Sequence, residues 1–297
     1  MKDRNSLSRP DRRSFLGLSL ASAGAGMLRW QPSHAQSSQG RKFKLGTVTY
    51  NLARDWTLDE LIKMCEKTGF DGVELRSTHR HGVEPDISNQ KRAEVRKRFA
   101  ATEVNLVCLG SACEFHSEDP SEVRKNIELA KRFVDLAADV GASGVKVRPN
   151  GIPETMTVEA TLKQIAESLS ELGEYAQRSD VGIWVEVHGR RTSHPPYIHQ
   201  IMQECNHPLV GVTWNCNAAD LQDGKVEPYF QLLQPYIRNV HIHDLYEEYP
   251  YSTLFRLLQD AGYEGYTLAE LPEVEGNAER FMHYYRMAWK YLSSGVI

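Results

Sequence analysis

Gly182-Ile183-Trp184-Val185-Glu186-Val187-His188 begins as an apolar run and ends in ionisable groups. Residues two apart in a strand share a face, so Glu186 and His188 point the same way. The same change recurs further along the chain. Asn215-Cys216-Asn217 follows Val212-Thr213-Trp214, His241-Ile242-His243-Asp244 follows Asn239-Val240, and Glu270 follows Thr267-Leu268-Ala269. Asn215 thus pairs in direction with Asn217, and His241 with His243. Polar groups at the C-terminal ends of successive buried strands converge on one point when those strands close into a barrel, which is where barrel active sites lie.

Working outward, strands are expected at 44–50, 72–76, 105–110, 144–148, 182–188, 210–215, 239–243 and 266–271. Each is short, apolar and rich in Val, as parallel strands buried on both faces are. Helical stretches intervene. Thr57-Leu58-Asp59-Glu60 carries a capping residue and early acids. Val123, Ile127, Ala130, Val134 and Ala137 repeat with a helical period over 121–140, and Gly141 closes that helix. Residues 157–177 and 277–292 follow the same logic. Gly-Phe-Asp-Gly-Val-Glu-Leu (69–75) and Gly-Tyr-Glu-Gly-Tyr-Thr-Leu (262–268) mark two helix-to-strand turns of matching design. Eight strands alternating with helices predict an α/β fold, a (β/α)8 TIM barrel over 43–297. A doubly wound open sheet is the alternative, weakened because no Gly-rich phosphate fingerprint follows the first strand.

The first 35 residues have a different character. Arg12-Arg13-Ser14-Phe15-Leu16 precedes a small-residue, mildly apolar run from Gly17 to Leu28, and Ser33-His34-Ala35 offers a small-x-small cleavage site. This layout predicts a twin-arginine export signal over 1–35, followed by a polar linker over 36–42. Asp11 and Gly17 depart from the usual pattern, which leaves an uncleaved anchor as the alternative. The expected location is therefore periplasmic or extracellular, with the twin-arginine translocase as a partner during export. Removing residues 1–35 takes away six Lys/Arg and two acids, moving the net charge from −4 to −8. So acidic a domain is a poor nucleic-acid binder, which needs a basic face. The five cysteines form no CxxC pair. A protein folded before export has no need of disulfides.

Among the ionisable groups, Glu186 and Glu270 each end an apolar strand. A buried carboxylate there needs a cation or a donor. With His241 nearby, a divalent metal is the leading reading; a structural ion pair with Lys146 or Arg148 is the bland one. His243 is either a hydrogen-bonded core histidine or a site residue, while His188 is a substrate contact or an outer ligand. Lys146 and Arg148 share a face, as do Glu74 and Arg76, and either pair could bind substrate oxygens or neutralise inward carboxylates. His81, in the loop 77–82, is a weaker substrate contact. Trp214 alternates with Asn215 and belongs to the barrel wall.

Taken together, Gly72-Val73-Glu74-Leu75, Val185-Glu186-Val187-His188-Gly189, Gly211-Val212-Thr213-Trp214-Asn215, Asn239-Val240-His241-Ile242-His243-Asp244 and Ala269-Glu270 resemble the sugar phosphate isomerase/epimerase family, the xylose isomerase-like barrels. The resemblance implies one divalent ion, Mn2+ before Zn2+, Co2+ or Mg2+, held by Glu186, Asn215, His241 and Glu270. Asn215 stands where that family has aspartate. Its amide oxygen still suits a hard cation, with one negative charge fewer. Asn217 would contact metal or substrate. Glu186 and Glu270 would remove and return a proton next to a carbonyl through an enediolate, giving an exported sugar isomerase or epimerase. The alternatives are a keto-glycoside lyase or hydrolase using the same enolate chemistry, a noncatalytic carbohydrate-binding barrel, and an apurinic-site nuclease, which the charge disfavours. The expected ligand is a small carbohydrate, and a homo-oligomer is left open.

Overall fold

Eight parallel strands close in chain order in the computed structural model, which describes residues 41–294. They are β1 Lys44–Val48, β2 Gly72–Arg76, β3 Asn105–Glu114, β4 Gly144–Arg148, β5 Gly182–Glu186, β6 Val210–Trp214, β7 Ile237–Ile242 and β8 Tyr266–Ala269, with β8 pairing back onto β1. Eight α-helices lie between and after them: α1 Leu58–Thr68, α2 Asn89–Ala100, α3 Pro120–Val140, α4 Val158–Ala176, α5 Pro195–Cys205, α6 Glu227–Leu233, α7 Tyr251–Asp260 and α8 Ala278–Leu292. This is the (β/α)8 barrel expected from the strand count. The export signal expected over 1–35, and residues 36–40 of the expected linker, lie outside the described residues. No helix among the described residues is long and apolar enough to cross a membrane.

Local chemistry sets the helix ends. Thr57 and Glu60 form a reciprocal capping box at α1, and Asp119, Thr157 and Asn277 cap α3, α4 and α8 through their side chains. Gly69 and Gly141 end α1 and α3 at φ 72° and 85°, a left-handed conformation that favours glycine. Strand ends differ from the expected ranges where polar residues begin. β5 stops at Glu186, β6 at Trp214 and β8 at Ala269, so Asn215 and Glu270 sit one residue beyond their strands. β3 instead runs on to Glu114, because its pairing with β4 resumes at Glu114–Arg148 after an irregularity.

The two-residue period sorts side chains between the barrel lumen and the helix layer. Trp184 and Glu186 both point into the lumen. The indole of Trp184 forms the floor, lying against Gly144 and Gly182, where a Cβ would come within 2.6 and 2.3 Å of the ring. Trp214, one residue out of phase with Thr213 and Asn215, is buried between barrel and helices. Its Nε1 donates to the Tyr249 hydroxyl at 3.0 Å. All five cysteines are free and buried.

Asp220 supports the loop after β6 at a cost. Its Oδ2 accepts the Asn217 amide at 2.8 Å, but its Oδ1 is buried without a partner, and burial pushes the carboxyl up to about 8. An acid raised above its ordinary 3.8 gives stability that is fully present below pH 3.8 and lost as pH rises through about 8. Asp220→Asn is therefore expected to raise Tm by about 3 °C or more at pH 8 and to change it little at pH 4. Thermal melts at the two pH values check this; an equal shift at both would show that the charge is not the cause.

Candidate active site

Three side chains from separate strands meet at the C-terminal end of the lumen. One ligand atom each from Glu186, His241 and Glu270 lies within 4.8 Å of the others. His241 Nδ1 is 3.6 Å from Glu186 Oε1 and 3.5 Å from Glu270 Oε2. On its other side, His241 Nε2 is 2.8 Å from Glu74 Oε2. A carboxylate only accepts, so Nε2 carries a proton in either charge state, and Nδ1 is the atom that gains or loses one. This is the arrangement by which an outer carboxylate orients a metal-binding imidazole. Glu74 and His241 are both wholly buried, and Glu74 Oε2 also receives the Cys108 thiol at 3.0 Å and Asn239 Nδ2 at 3.4 Å.

Lys146 enters from β4, with its Nζ 2.6 Å from Glu186 Oε2 and the pair only 2% and 3% exposed. The ion pair expected as the bland reading is present, and it leaves Glu186 Oε1 facing His241. Two further buried polar atoms here, Asn215 Oδ1 and His241 Nδ1, have no hydrogen-bond partner. An unpaired buried amide oxygen, and an imidazole nitrogen that becomes an acceptor once it gives up its proton, are groups a divalent cation would satisfy, and carboxylate, amide-oxygen and imidazole donors suit one. The residues therefore fit a metal held by Glu186, His241, Glu270 and Asn215, with Lys146 limiting Glu186 to one oxygen.

The charges at the site reinforce one another. Burial works against each ion, yet Glu186 and Glu270 are held well below the usual carboxylate range, Glu186 by the Lys146 ammonium first and Glu270 by the neighbouring His241 and His243 imidazoles. Burial also opposes a charged His241, but Glu74, Glu186 and Glu270 together raise it well above its ordinary value. Lys146 is raised likewise by Glu186, Glu74 and Glu270.

Above this layer opens a cavity of about 610 Å³, walled by Arg76, Lys146, Arg148, His188, Asn215, Asn217 and His243 among others. That size is within the usual range for a small-molecule site. Arg76 stacks over the Tyr50 ring at 4.9 Å and lies 3.9 Å from Glu270 Oε1. His243 Nε2 is 3.7 Å from Glu270 Oε2. Asn150 Nδ2 donates to Glu114, which fixes the amide so that its Oδ1 faces His188 Nδ1 at 2.8 Å. Nδ1 of His188 is thus protonated, leaving Nε2 as an acceptor, and burial lowers the pKa of the ring.

The structure brings together all but two of the residues singled out from sequence. Glu74 is absent from the cavity wall and lies behind His241. His81 is also away from the cavity. Its Nε2 donates to the Arg76 carbonyl at 2.7 Å and its Nδ1 accepts from Val83 N at 3.1 Å, with burial pushing it down to about 4. It therefore holds the loop after β2, and with it Arg76. Sequence reasoning missed Asn150, Asn239 and Tyr50. Asn239 had a signal, since it lies two residues before His241 on the same face. Asn150 lies in the loop after β4, where no periodicity marks direction.

Glu74→Gln keeps the side-chain shape but removes the acceptor charge behind His241. Metal affinity is expected to fall about 10–100-fold, as for other outer-layer partners of ligating histidines. Calorimetric titration with Mn2+ or Zn2+ checks this, and an unchanged affinity would remove Glu74 from that role.

Comparison with known proteins finds relatives in sequence and in fold. Ketose 3-epimerase of Arthrobacter globiformis is 25% identical over 220 residues, 69% of this chain and 74% of that protein. Fructoselysine 3-epimerase of Shigella flexneri is 21% identical over 249 residues, covering 75% and 88%. Among solved structures, 3-keto-D-glucoside 4-epimerase from E. coli superposes with a TM-score of 0.70 at 16% identity, covering 84% of this chain and 99% of its own. The IOLI protein with a bound zinc atom superposes with a TM-score of 0.70 at 17% identity, covering 86% and 99%. These two structural likenesses bear on the fold. Residues 62–286 match the family described as Xylose isomerase-like TIM barrel, and the chain belongs to that family.

Proposed function

We propose that this protein is a metal-dependent sugar epimerase or isomerase that moves a proton on the carbon next to a ketose carbonyl. The observation that carries this reading is the pair of carboxylates, buried Glu186 and partly buried Glu270, on either side of His241 within 4.8 Å. The curated relatives named above, both sugar epimerases, support the same class of reaction.

A divalent ion, Mn2+ first and Zn2+ next, would supply Lewis-acid polarisation of the substrate carbonyl and its neighbouring hydroxyl. The chain's own groups then divide the proton transfers. Glu270, at 13% side-chain exposure the more accessible of the two carboxylates, takes the proton from carbon. The C–H electron pair becomes the C=C bond of an enediolate, and the carbonyl oxygen takes up the charge. Glu186 returns a proton from the opposite face, with the Lys146 ammonium at 2.6 Å as its reservoir. Return to the same carbon epimerises; transfer of the proton to the neighbouring carbon isomerises. Arg76 and His243 hold Glu270 in place, while His188 and Asn217 offer hydrogen bonds to sugar hydroxyls.

The Arg12-Arg13 leader supports export by the twin-arginine translocase and work outside the cytoplasm. The reaction is tested by incubating the protein with Mn2+ and D-fructose in D2O, watching by NMR for loss of the H3 signal and growth of a C3 epimer. No exchange with any ketose in the presence of Mn2+, Zn2+ or Co2+ would leave a noncatalytic carbohydrate-binding barrel as the better reading.

A further inference from the structure

A second cavity, about 500 Å³, lies beside the first, lined by Glu114, His116, Glu118, Asn126, Asn150 and Arg190 among others. A hydrogen bond links a wall residue of one to a wall residue of the other. Asn150, in the wall of the second, accepts from His188, in the wall of the first, at 2.8 Å. The walls of the second cavity are held in place from behind. Gln164 Nε2 donates to the carbonyls of Phe115 and Ser117 at 2.8 and 2.9 Å, and Asn126 Oδ1 accepts the Glu114 amide at 3.2 Å. Gly151 lets the next loop close against the His116 ring, where a Cβ would lie 3.2 Å from Cδ2. His116 Nδ1 is buried and has no hydrogen-bond partner.

We infer that this second cavity is a subsite for a second, uncharged sugar unit, so that the substrate is a ketose carrying another sugar through a glycosidic bond. The inference rests on the proposed function for the first cavity and names its substrate class. Carboxylate, amide, imidazole and guanidinium groups in one wall offer both donors and acceptors, as a ring of hydroxyls requires. Glu114, Glu118 and Glu122 outnumber Arg190, so the local charge repels a phosphate or carboxylate on the incoming unit. The only apolar lining comes from Ile152 and Pro153, which is too little for a hydrophobic aglycone. Because Asn150 and His188 adjoin, a ligand in the first cavity could extend into the second, and occupation of the second would also bear on His188.

The test uses the full protein with Mn2+ and five probes: D-fructose, and its glucosyl derivatives turanose, maltulose, leucrose and isomaltulose, which differ in linkage position. Two or three added hydrogen bonds are worth about tenfold or more in affinity. At least one disaccharide is therefore expected to bind about tenfold tighter than D-fructose by calorimetry. His116→Ala and Arg190→Ala should each bring that disaccharide back toward the D-fructose value while leaving D-fructose binding unchanged. Arg190 is largely exposed, so its variant is expected to fold as the wild type does. Equal affinity for all five probes, or variants that weaken D-fructose as much as the disaccharide, would overturn the subsite. Tight disaccharide binding without any proton exchange would keep the subsite and overturn the catalytic reading instead.

Discussion

His241→Ala combined with Glu74→Gln is expected to abolish stoichiometric metal binding. His241 is the sole nitrogen donor in the cluster, and its Nδ1 lies between the two carboxylates at 3.5 and 3.6 Å. The double change is preferable to the single one for a physical reason. Removing His241 alone would leave Glu74 charged and wholly buried, and stripping one member of a buried pair costs about 3–5 kcal/mol. That loss could unfold the barrel and mimic a loss of metal. With Glu74 made neutral, the fold should persist and the metal should not, with affinity falling at least about 100-fold. Mass spectrometry of metal content after loading and dialysis reads the result, and retention of the wild-type stoichiometry would remove His241 as a ligand. A pH dependence follows from the same geometry. Glu74, Glu186 and Glu270 hold a proton on His241 Nδ1 well above its usual range, so metal must displace that proton. Affinity is therefore expected to rise with pH through the neutral range.

Much of this centre was legible because a barrel strand has a two-residue period and burial makes polar exceptions conspicuous. Glu186, His241 and Glu270 each follow apolar residues, and all three meet where the strand ends converge. The lysine was legible only as an alternative. Its position on the inward face of β4 is readable, but whether Lys146 meets Glu186 or a substrate depends on the stagger between neighbouring strands. In the structure Lys146 is level with Trp184, which lets its long side chain reach forward to Glu186. Glu74 shows the limit from the other side. Its inward phase was correct, yet only the three-dimensional closure of the barrel brings β2 across to β7, so that an acid expected to touch substrate instead orients a histidine. His81 and Asn150 belong to loops, where direction comes from hydrogen bonds between segments far apart in sequence.

The proton-transfer roles give the other large expected effect. Glu270→Gln retains shape and an amide oxygen but cannot take a proton, so solvent exchange at the carbon next to the carbonyl should fall about 10²–10⁴-fold. Glu186→Gln should reduce epimer formation by a comparable factor, and it also leaves the Lys146 ammonium buried without its partner, so its stability must be checked alongside. Lys146→Met separates the two carboxylates further. Glu270 would still remove the proton and give back deuterium on the same face, so exchange continues. Delivery from the Glu186 face loses its reservoir, so epimer formation falls. The ratio of exchange to epimerisation should therefore rise in Lys146→Met, measured by NMR in D2O on one sample. A purely structural role for Lys146 predicts that both rates decline together, leaving the ratio unchanged. That result would return the lysine to the bland ion pair and assign both proton transfers to the two glutamates alone.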